Sequence, residues 1–315
     1  ELVDRIEFRK GPYFAKTGDF SAAGSADILY RTTLDEPFAA LTLGQRQYQR
    51  LVGGGSTEVG QGLKLLGAIE VMHNDGPWVV PEHLRKTNAV LTLSGGSRAE
   101  GWSTSLMAYD AKWNSTDQIP QRAIDAGLDR FGSLDPTDGG NTKRTSLSGE
   151  WHRNTDGGAT KVAAYAIDYQ LKLFSNFTYA LERPTEGDQF SQQDSRSVYG
   201  FGASHAINHR WADLAARTEV GLQVRHDRIR VGLFDTVARQ ITAVTRDDTV
   251  RESTVGVYAQ TSVEWTPWLR TVTGLRMDAA RFQIESHTQP ANSGRANDQL
   301  ASPKLAVVLG PWART

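Results

Sequence analysis

The sequence predicts an all-β protein, and three observations carry that prediction. Polar and apolar residues alternate with a period of two over long stretches, most clearly in residues 158–174, which is typical of a strand with two unlike faces. These stretches are longer than the about 5–6 residues usual in soluble sheets. The connections between them alternate between short and long. Because a tilted strand crosses a bilayer in about 9–11 residues, the pattern predicts an antiparallel transmembrane β-barrel.

The composition agrees with such a wall and excludes several other classes. The chain has 315 residues, a net charge of −1 and no cysteine, so it offers no basic surface for nucleic acid, no disulfide and no thiolate metal site. Its mean hydropathy is −0.45, and no run of about 18 apolar residues predicts a membrane helix. A barrel wall exposes only alternate residues to lipid, so a low mean hydropathy is expected for it.

From residue 36 onward the sequence alternates between strands and turns, with a turn at Gly44–Arg46 dividing the first two strands. We predict about twelve strands, at 37–43, 47–54, 57–73, 86–97, 101–113, 142–155, 158–174, 195–208, 211–229, 250–265, 268–286 and 299–310.

The predicted strands have one apolar and one charged face. In 158–174 the apolar set includes Tyr165, Ile167 and Tyr169, and in 101–113 we expect Met107, Tyr109 and Trp113 to face outward. A Lys or Arg that faces lipid at mid-depth costs about 2–4 kcal/mol. The charged residues should therefore face inside: Lys64, Glu70, Arg144, Glu150, Asp168, Lys172, Arg217, Glu219, Arg225, Glu264, Arg276 and Asp278.

The connections and the tryptophans fit a barrel of the outer-membrane type, which has short turns at one end and long loops at the other. Long polar connections are predicted at 74–85, 114–141, 175–194, 230–249 and 287–298. Tryptophans stand near predicted strand ends, as an interfacial girdle or as packing at sheet edges: Trp102, Trp113, Trp151, Trp211, Trp265, Trp268 and Trp312.

The sequence contains no reaction centre, so we predict no enzyme, cofactor or metal site. The seven histidines lack zinc-site spacing, and Gly53–Ser56 lacks the Lys-Ser/Thr of a phosphate loop. The segment Asp135–Asn141 offers carboxylates to Ca²⁺, but a Pro/Gly turn is the favoured interpretation.

The N-terminal residues resemble a known family. Residues 3–12 read Val-Asp-Arg-Ile-Glu-Phe-Arg-Lys-Gly-Pro, followed by Gly18 and by Gly24 before Ile28-Leu29. This series resembles the end of the plug domain of TonB-dependent outer-membrane receptors, which typically carries Arg-Ile-Glu-Val, Arg-Gly-Pro, Gly and Gly-Gly-Val-Ile-Asn. The chain departs from that pattern at Lys10, in place of Arg, and at Ala23–Ile28.

The resemblance implies a domain organisation in which residues 1–35 are a compact end of the plug and residues 36–315 are the first part of the barrel. Such transporters have about 22 strands and a plugged lumen, so the chain would be a fragment with about twelve of them. A closed twelve-stranded barrel is the competing architecture.

The resemblance also implies sites. Arg5, Glu7 and Arg9 of the plug should face charges of the wall, and we expect Arg5 and Arg9 to pair with Glu219 or Glu264 as a reversible latch. Ligand contacts should come from the long loops, with Asp117, Gln118, Arg122, Phe177 and Tyr179 as candidates, although these residues are as well suited to ordering the loops.

The function that these features imply is active uptake of a scarce, large ligand, foremost a ferric siderophore, across the outer membrane of a Gram-negative bacterium. TonB would act through a segment upstream of Glu1, and outer-membrane lipid would surround the barrel. A passive porin or adhesin barrel and a soluble β-rich glycan-binding protein or glycan-active enzyme remain as alternatives.

Overall fold

The structure, a computed structural model, describes residues 1–18 and 21–311 as two separate antiparallel sheets. An N-terminal hairpin pairs β1 (Val3–Lys10) with β2 (Gly24–Tyr30). The large sheet holds twelve strands in sequential order: β3 (Phe38–Leu43), β4 (Gln49–Glu58), β5 (Lys64–Asn74), β6 (Leu84–Gly96), β7 (Glu100–Asn114), β8 (Gly139–Thr155), β9 (Gly158–Ser175), β10 (Phe190–Trp211), β11 (Leu214–Val237), β12 (Gln240–Thr266), β13 (Leu269–Ser286) and β14 (Gly294–Leu309).

Among residues 1–18 and 21–311, helical structure is confined to the connections. A short helix, α1 (Gln121–Asp125), lies between β7 and β8, and a 3₁₀ turn at Pro290–Asn292 precedes β14. No helix among the described residues is long and apolar enough to span a bilayer.

The all-β prediction is confirmed, and so is the number of wall strands. Strands β3 and β14 form the two edges of the large sheet and do not pair with each other within the described residues. The alternative of a closed twelve-stranded barrel is therefore wrong for this structure, which shows an open wall.

Two predicted strand boundaries are wrong. The predicted strand 57–73 is divided, because β4 continues to Glu58 and a turn precedes β5 at Lys64. Gly60 and Gly62 have φ values of 99° and 77° there, and this left-handed backbone suits a glycine turn rather than a strand.

The predicted loop 230–249 is also wrong. Strands β11 and β12 continue through it and join at Ala238 and Arg239, whose φ values are 48° and 67°. Two positive φ values define a type I′ hairpin turn, which usually carries Asn-Gly or Asp-Gly. Because Ala-Arg lacks that signal, the sequence pattern did not reveal this turn.

Contacts with the N-terminal residues identify the inner face of the wall. Gln223 Nε2 donates a hydrogen bond to the carbonyl oxygen of Lys16 at 3.1 Å, and Arg50 forms an ion pair with Glu1 at 2.9 Å. Residues directly opposite each other on neighbouring strands share a face. Applied along the registers of β11, β12 and β13, this rule places Val220, Leu275 and Met277 on the outer face, where they are 48%, 50% and 56% exposed.

The face assignment for β9 is a correction. Ala163 lies opposite Gly202, which lies opposite the inward-facing Gln223. Tyr165 therefore also faces inside, where its ring covers Gly200; a Cβ atom at Gly200 would lie 2.1 Å from that ring. By alternation Ile167 and Tyr169 face inside as well, and Asp168 and Lys172 lie on the outer face, contrary to the prediction.

The position of Asp168 along the strand gives the physical reason. Its outer-face row continues through residues that are polar on every neighbouring strand: Ser197, Arg228, Arg251 and Gln283. Val162 lies on the same face of β9 as Asp168, nearer to the end of the sheet with the short turns. The row of residues opposite Val162 on the next strands is apolar: Ala203, Leu222, Val257 and Met277. The apolar band thus covers only the part of β9 near its first residues, at the end of the sheet with the short turns. The charge of Asp168 lies beyond that band.

The predicted outer face of 101–113 is also wrong. Thr92 and Ser105 share a hydrogen bond on the inner face, while Leu91 lies opposite the exposed Leu106 on the outer face. Met107, Tyr109 and Trp113 share the parity of Ser105 and therefore face inside.

Tryptophans gather on the outer face at the end of the sheet that carries the short turns. Trp102 lies directly opposite Trp151, and the rings of Trp211 and Trp265 are 5.8 Å apart. Amphipathic rings in such a belt suit the headgroup level of a bilayer. Trp113 lies at the opposite end, and Trp312 lies outside the described residues.

Candidate functional site

Three connections meet at the end of the wall that carries the long loops, and together they form the first candidate site. They are the loop 115–138 between β7 and β8, the loop 176–189 between β9 and β10, and the turn at Ala238 and Arg239. We call this cluster the mouth. Gln189 of the second loop bonds to both other connections, and the Arg239 side chain bonds to the loop 115–138, so the mouth is one ordered unit.

Gln189 is the centre of the mouth and is 1% exposed. Its Nε2 donates to Thr137 Oγ1 at 2.8 Å and to Asp138 Oδ1 at 3.0 Å. Its Oε1 accepts hydrogen bonds from Thr236 Oγ1 at 3.0 Å and from the backbone N–H of Arg239 at 2.8 Å. A buried amide with both ends satisfied fixes the relative position of the segments it joins.

Arg239 fastens the hairpin turn to the loop 115–138. Its guanidinium donates to the carbonyl oxygens of Thr137 and Asp138 and to Asn114 Oδ1. It also lies 5.5 Å from the ring centroid of Phe174, which is a favourable cation–π distance. These contacts explain why a turn without glycine or asparagine forms at this position.

The structure brings the five predicted ligand-binding residues together, although it does not test their role. Asp117 Oδ2 accepts a hydrogen bond from the backbone N–H of Asn176 at 2.9 Å, and Tyr179 Oη donates to the carbonyl oxygen of Gln118 at 2.7 Å. The guanidinium of Arg122 lies 5.8 Å from the Tyr179 ring.

Two of these residues keep free surface at the mouth. Phe177 stacks edge-on against Phe190 at 5.5 Å between ring centroids and is still 54% exposed. The side chain of Arg122 is exposed as well. An exposed aromatic ring and an exposed guanidinium are suited to bind an anionic, partly aromatic molecule.

The mouth also contains a carboxyl group with an altered affinity for protons. Burial raises the pKa of Asp138 to about 8; the hydrogen bond from Gln189 opposes that rise, and the nearby carboxylates of Asp135 and Asp117 add to it. The raised pKa favours the protonated, neutral form of this carboxyl group, which lowers the negative charge of a site with three carboxyl groups.

The second candidate site is the contact between the N-terminal segment and the wall. The backbone N–H of Ala15 donates to Gln260 Oε1 at 3.1 Å, and the carbonyl oxygen of Lys16 accepts from Gln223. Arg276 Nη1 lies 3.4 Å from the carbonyl oxygen of Ala15. Ala15 itself is fully buried, so this contact seals a short turn of the segment against β11, β12 and β13.

Arg276 organises that contact. It is 4% exposed and forms a bidentate ion pair with Asp278, at 2.8 Å from Nε and 2.7 Å from Nη2. Its Nη1 also donates to Gln223 Oε1 at 2.9 Å. Gly256 leaves the space for the guanidinium, since a Cβ atom there would lie 2.0 Å from Nη2.

The predicted latch residues have other partners in the structure. Arg5 bonds to Asp4 and Glu7, both at 2.9 Å, and Arg9 bonds to Glu7 and Asp27. On the wall, Glu219 accepts from Tyr258 Oη at 2.7 Å, and Glu264 lies opposite Arg270. The pairs of Arg5 or Arg9 with Glu219 or Glu264 are thus not formed among the described residues.

Sequence reasoning missed the Ala15–Arg276 contact because its N-terminal half uses backbone atoms, which carry no residue signature. It also treated the histidines as scattered, whereas the structure brings His73 and His83 to one carboxylate, Asp75. The register of the β5–β6 hairpin could have revealed this cluster. It places Asn74 opposite Leu84, so the next step along the ladder brings Asp75 beside His83.

The comparisons with known proteins agree on the architecture. The family model described as TonB dependent receptor-like, beta-barrel matches residues 86–313. A search of curated proteins found no match.

Solved structures resemble the chain at low sequence identity. The unliganded ferric citrate transporter FecA has a TM-score of 0.79 and 12% identity, with 99% of this chain and 48% of that chain covered. The siderophore receptor PiuA from Acinetobacter baumannii has a TM-score of 0.76 and 13% identity, with coverages of 97% and 51%. The alcaligin outer-membrane receptor FauA from Bordetella pertussis has a TM-score of 0.72 and 11% identity, with coverages of 99% and 48%.

The chain spans about half the length of these structures. At such identities the likeness shows the fold alone, while the family model matches more than half of the sequence. Barrels of this family lie in the outer membrane of Gram-negative bacteria, and its members are receptors and transporters rather than enzymes. The chain therefore belongs to the TonB-dependent receptor β-barrel family.

Proposed function

We propose that this chain forms the end of the plug, residues 1–35, and the first twelve strands of the barrel, residues 36–315, of an outer-membrane receptor that takes up a ferric siderophore. The observation that carries the proposal is the N-terminal segment bonded to the inner face of a wall whose outer face is apolar and exposed. A soluble two-layer protein would bury that outer face. A passive porin with residues 1–35 as a lumen insert would share this contact, so dependence of uptake on TonB is what separates the two.

The contact of Ala15 and Lys16 with the wall is suited to act as the releasable latch, in place of the pairs first expected at Arg5 and Arg9. Its hydrogen bonds join backbone atoms of the segment to side chains of Gln223, Gln260 and Arg276. Few bonds therefore need to break when the segment moves. The Arg276–Asp278 ion pair lies wholly in the wall and would keep the guanidinium charge satisfied after release.

The mouth is suited to bind the ligand. Arg122 and Phe177 are exposed on two loops that Gln189 and Asp117 hold in place. Ferric siderophores are often anionic and carry aromatic groups, so a guanidinium and a phenyl ring are complementary to them. The similar structures include a ferric citrate transporter and a siderophore receptor, which favours the same ligand class. Energy would come from TonB and the inner-membrane proton gradient.

The test is uptake by a receptor-deletion strain that carries the full-length protein. Uptake of radiolabelled ferric catecholate, hydroxamate and citrate chelates is measured with and without a protonophore and in a strain without TonB. We expect one chelate class to be accumulated, and we expect accumulation to stop without TonB or the gradient. Uptake that persists under both conditions would support the passive porin instead.

Variants of the mouth assign the ligand site within the same assay. Arg122→Ala and Phe177→Ala should each weaken chelate binding about tenfold or more, which corresponds to about 1.4 kcal/mol. Arg130→Ala is the matched control, because Arg130 lies on the same loop and contacts the neighbouring Phe131 ring. Equal binding by all three variants would remove these two residues from the ligand site.

A further inference from the structure

A cluster of side chains that can bind a metal lies on the outer face of the wall, at the end of the sheet with the long loops. It is separate from the mouth and from the contact of the N-terminal segment at Ala15. His73 Nε2, Asp75 Oδ1 and His83 Nδ1 all lie within 4.8 Å of one another. Asp75 Oδ1 is 3.3 Å from His73 Nε2 and 2.8 Å from His83 Nδ1. A single carboxylate oxygen thus lies between two imidazole nitrogens.

The register of one hairpin explains the cluster. His73 lies opposite Arg85 and Asn74 lies opposite Leu84, so the next step along the ladder places Asp75 beside His83. Asp75 is two residues from His73 and shares its face of the strand. That face also carries the exposed Ile69 and Val71, so the cluster lies on the outer face, above the apolar band.

Backbone contacts hold the segment in this arrangement. The N–H of Asp75 donates to the carbonyl oxygen of Arg46 at 3.0 Å, and the N–H of Glu82 donates to the carbonyl oxygen of Asp75 at 2.9 Å. Asn114 Nδ2 donates to the carbonyl oxygen of Pro81 at 3.0 Å. The backbone that carries the three ligands is therefore positioned before any metal binds, which reduces the ordering cost of binding.

The distances suit a small divalent transition-metal ion. Zn²⁺ binds His nitrogen and Asp oxygen at about 2.0–2.2 Å, so neighbouring ligands in a tetrahedron lie about 3.4 Å apart. The Asp75–His73 separation of 3.3 Å is close to that value, whereas the Asp75–His83 separation of 2.8 Å is that of a hydrogen bond and would lengthen by roughly 0.6 Å around a shared ion. His83 is 60% exposed, whereas the Asp75 side chain is 11% exposed, so a rotation of the exposed ring adjusts the third ligand.

We propose that His73, Asp75 and His83 form a binding site for a borderline divalent transition-metal ion, foremost Zn²⁺. Two imidazoles and one carboxylate exclude Ca²⁺ and Mg²⁺, which take oxygen ligands. Three protein ligands leave one position of a tetrahedron open at the solvent side of His83. The bound ion joins the two ends of the connection 75–83 and stabilises it. The site is independent of the proposed siderophore uptake, because it lies outside the lumen.

The test is calorimetric titration of the untagged full-length protein in detergent with Zn²⁺ alone. We expect one Zn²⁺ per chain, and we expect Asp75→Asn and His83→Gln each to lower the affinity at least tenfold. His287→Gln is the matched control: His287 lies at the same end of the sheet, but its ring contacts Thr249. Circular dichroism confirms that each variant is folded.

Limited proteolysis gives a second readout that does not depend on heat signals. Saturating Zn²⁺ should slow cleavage within 75–83 in the wild-type protein and in His287→Gln, but not in Asp75→Asn. The absence of stoichiometric Zn²⁺ binding, or equal binding by wild type, Asp75→Asn and His83→Gln, would overturn the proposal.

Discussion

Strands β9 and β11 show the same two-residue alternation, yet their more apolar faces point to opposite sides of the wall. In β11 the set Val220, Leu222 and Val224 faces outward, whereas in β9 Tyr165 and Ile167 face inward. The difference teaches that alternation defines two faces but does not say which one meets lipid. That decision depends on what covers each face.

The inner face tolerates large apolar side chains where the wall leaves room for them. The Tyr165 ring covers Gly200, and Tyr258 in the same way covers Gly221. Glycine on one strand and tyrosine on the next interdigitate on the inner surface, so a tyrosine-rich face is not by itself a lipid-facing surface. The outer face of β9 needs only Val162 and small residues, because the apolar band covers few of its residues.

The largest expected effect comes from adjacent substitutions in β9, which directly test its orientation. Val162→Arg should destabilise the folded protein by about 2–4 kcal/mol, because the charge would face lipid within the apolar band. Ala163→Arg should cost far less, because it would face the polar inner side opposite Glu150. The measurement is the free energy of unfolding in urea, with the protein in lipid vesicles. The reverse order of the two costs would restore the orientation expected from sequence alone.

A smaller effect is expected from removing the contact of Arg276 with the N-terminal segment at Ala15. Arg276→Met removes a charge-assisted hydrogen-bond network and leaves Asp278 without its partner, which should cost about 1.5–3 kcal/mol. Hydrogen exchange of the amide groups in residues 15–18 should become faster, while β9 exchanges as before.

Arg217→Met is the control for that variant. Arg217 shares the inner parity of β11, but it bonds to Asn208 at 2.9 Å and is exposed. Its loss should cost less than about 0.5 kcal/mol, as is usual for surface substitutions. Equal acceleration of exchange in both variants would show that the Arg276 contact does not hold the segment.

The smallest effect on the whole molecule is expected at the mouth, where the loops that follow β7 and β9 meet the β11–β12 turn. Burial raises the pKa of Asp138 from 3.8 to about 8. Between these values the folded state holds a proton that the unfolded state has lost, so the stability of the mouth should fall as pH rises from about 4 to 8. After correction for the intrinsic base catalysis of amide exchange, the protection factors of the amides in 176–189 should fall over that range.

Asp138→Asn should remove most of this pH dependence, because the amide keeps an oxygen for Gln189 and carries no titratable proton. A mouth whose exchange follows the same pH profile in both proteins would contradict the assigned proton. The pH response of β11 and β12 outside the turn serves as an internal reference.

The sequence by itself determined the all-β class and the number of wall strands, and it predicted the long connections apart from 230–249, which is a two-residue turn. It also placed the charges of Glu219, Glu264 and Arg276 on the inner face, because strands of this length repeat one simple period many times and their charges are costly in lipid. The resemblance at residues 3–12 added the family. These features are local, so a linear pattern records them.

Only the tertiary structure decided which side of β9 meets lipid, where the N-terminal segment touches the wall, and how the turn at Ala238 and Arg239 closes. Each of these depends on groups that are far apart in sequence: Gly200 beneath Tyr165, the carbonyl oxygen of Ala15 beside Arg276, and Gln189 against the backbone of Arg239. Backbone atoms and empty space carry no residue pattern, and packing between distant strands is what brings them together.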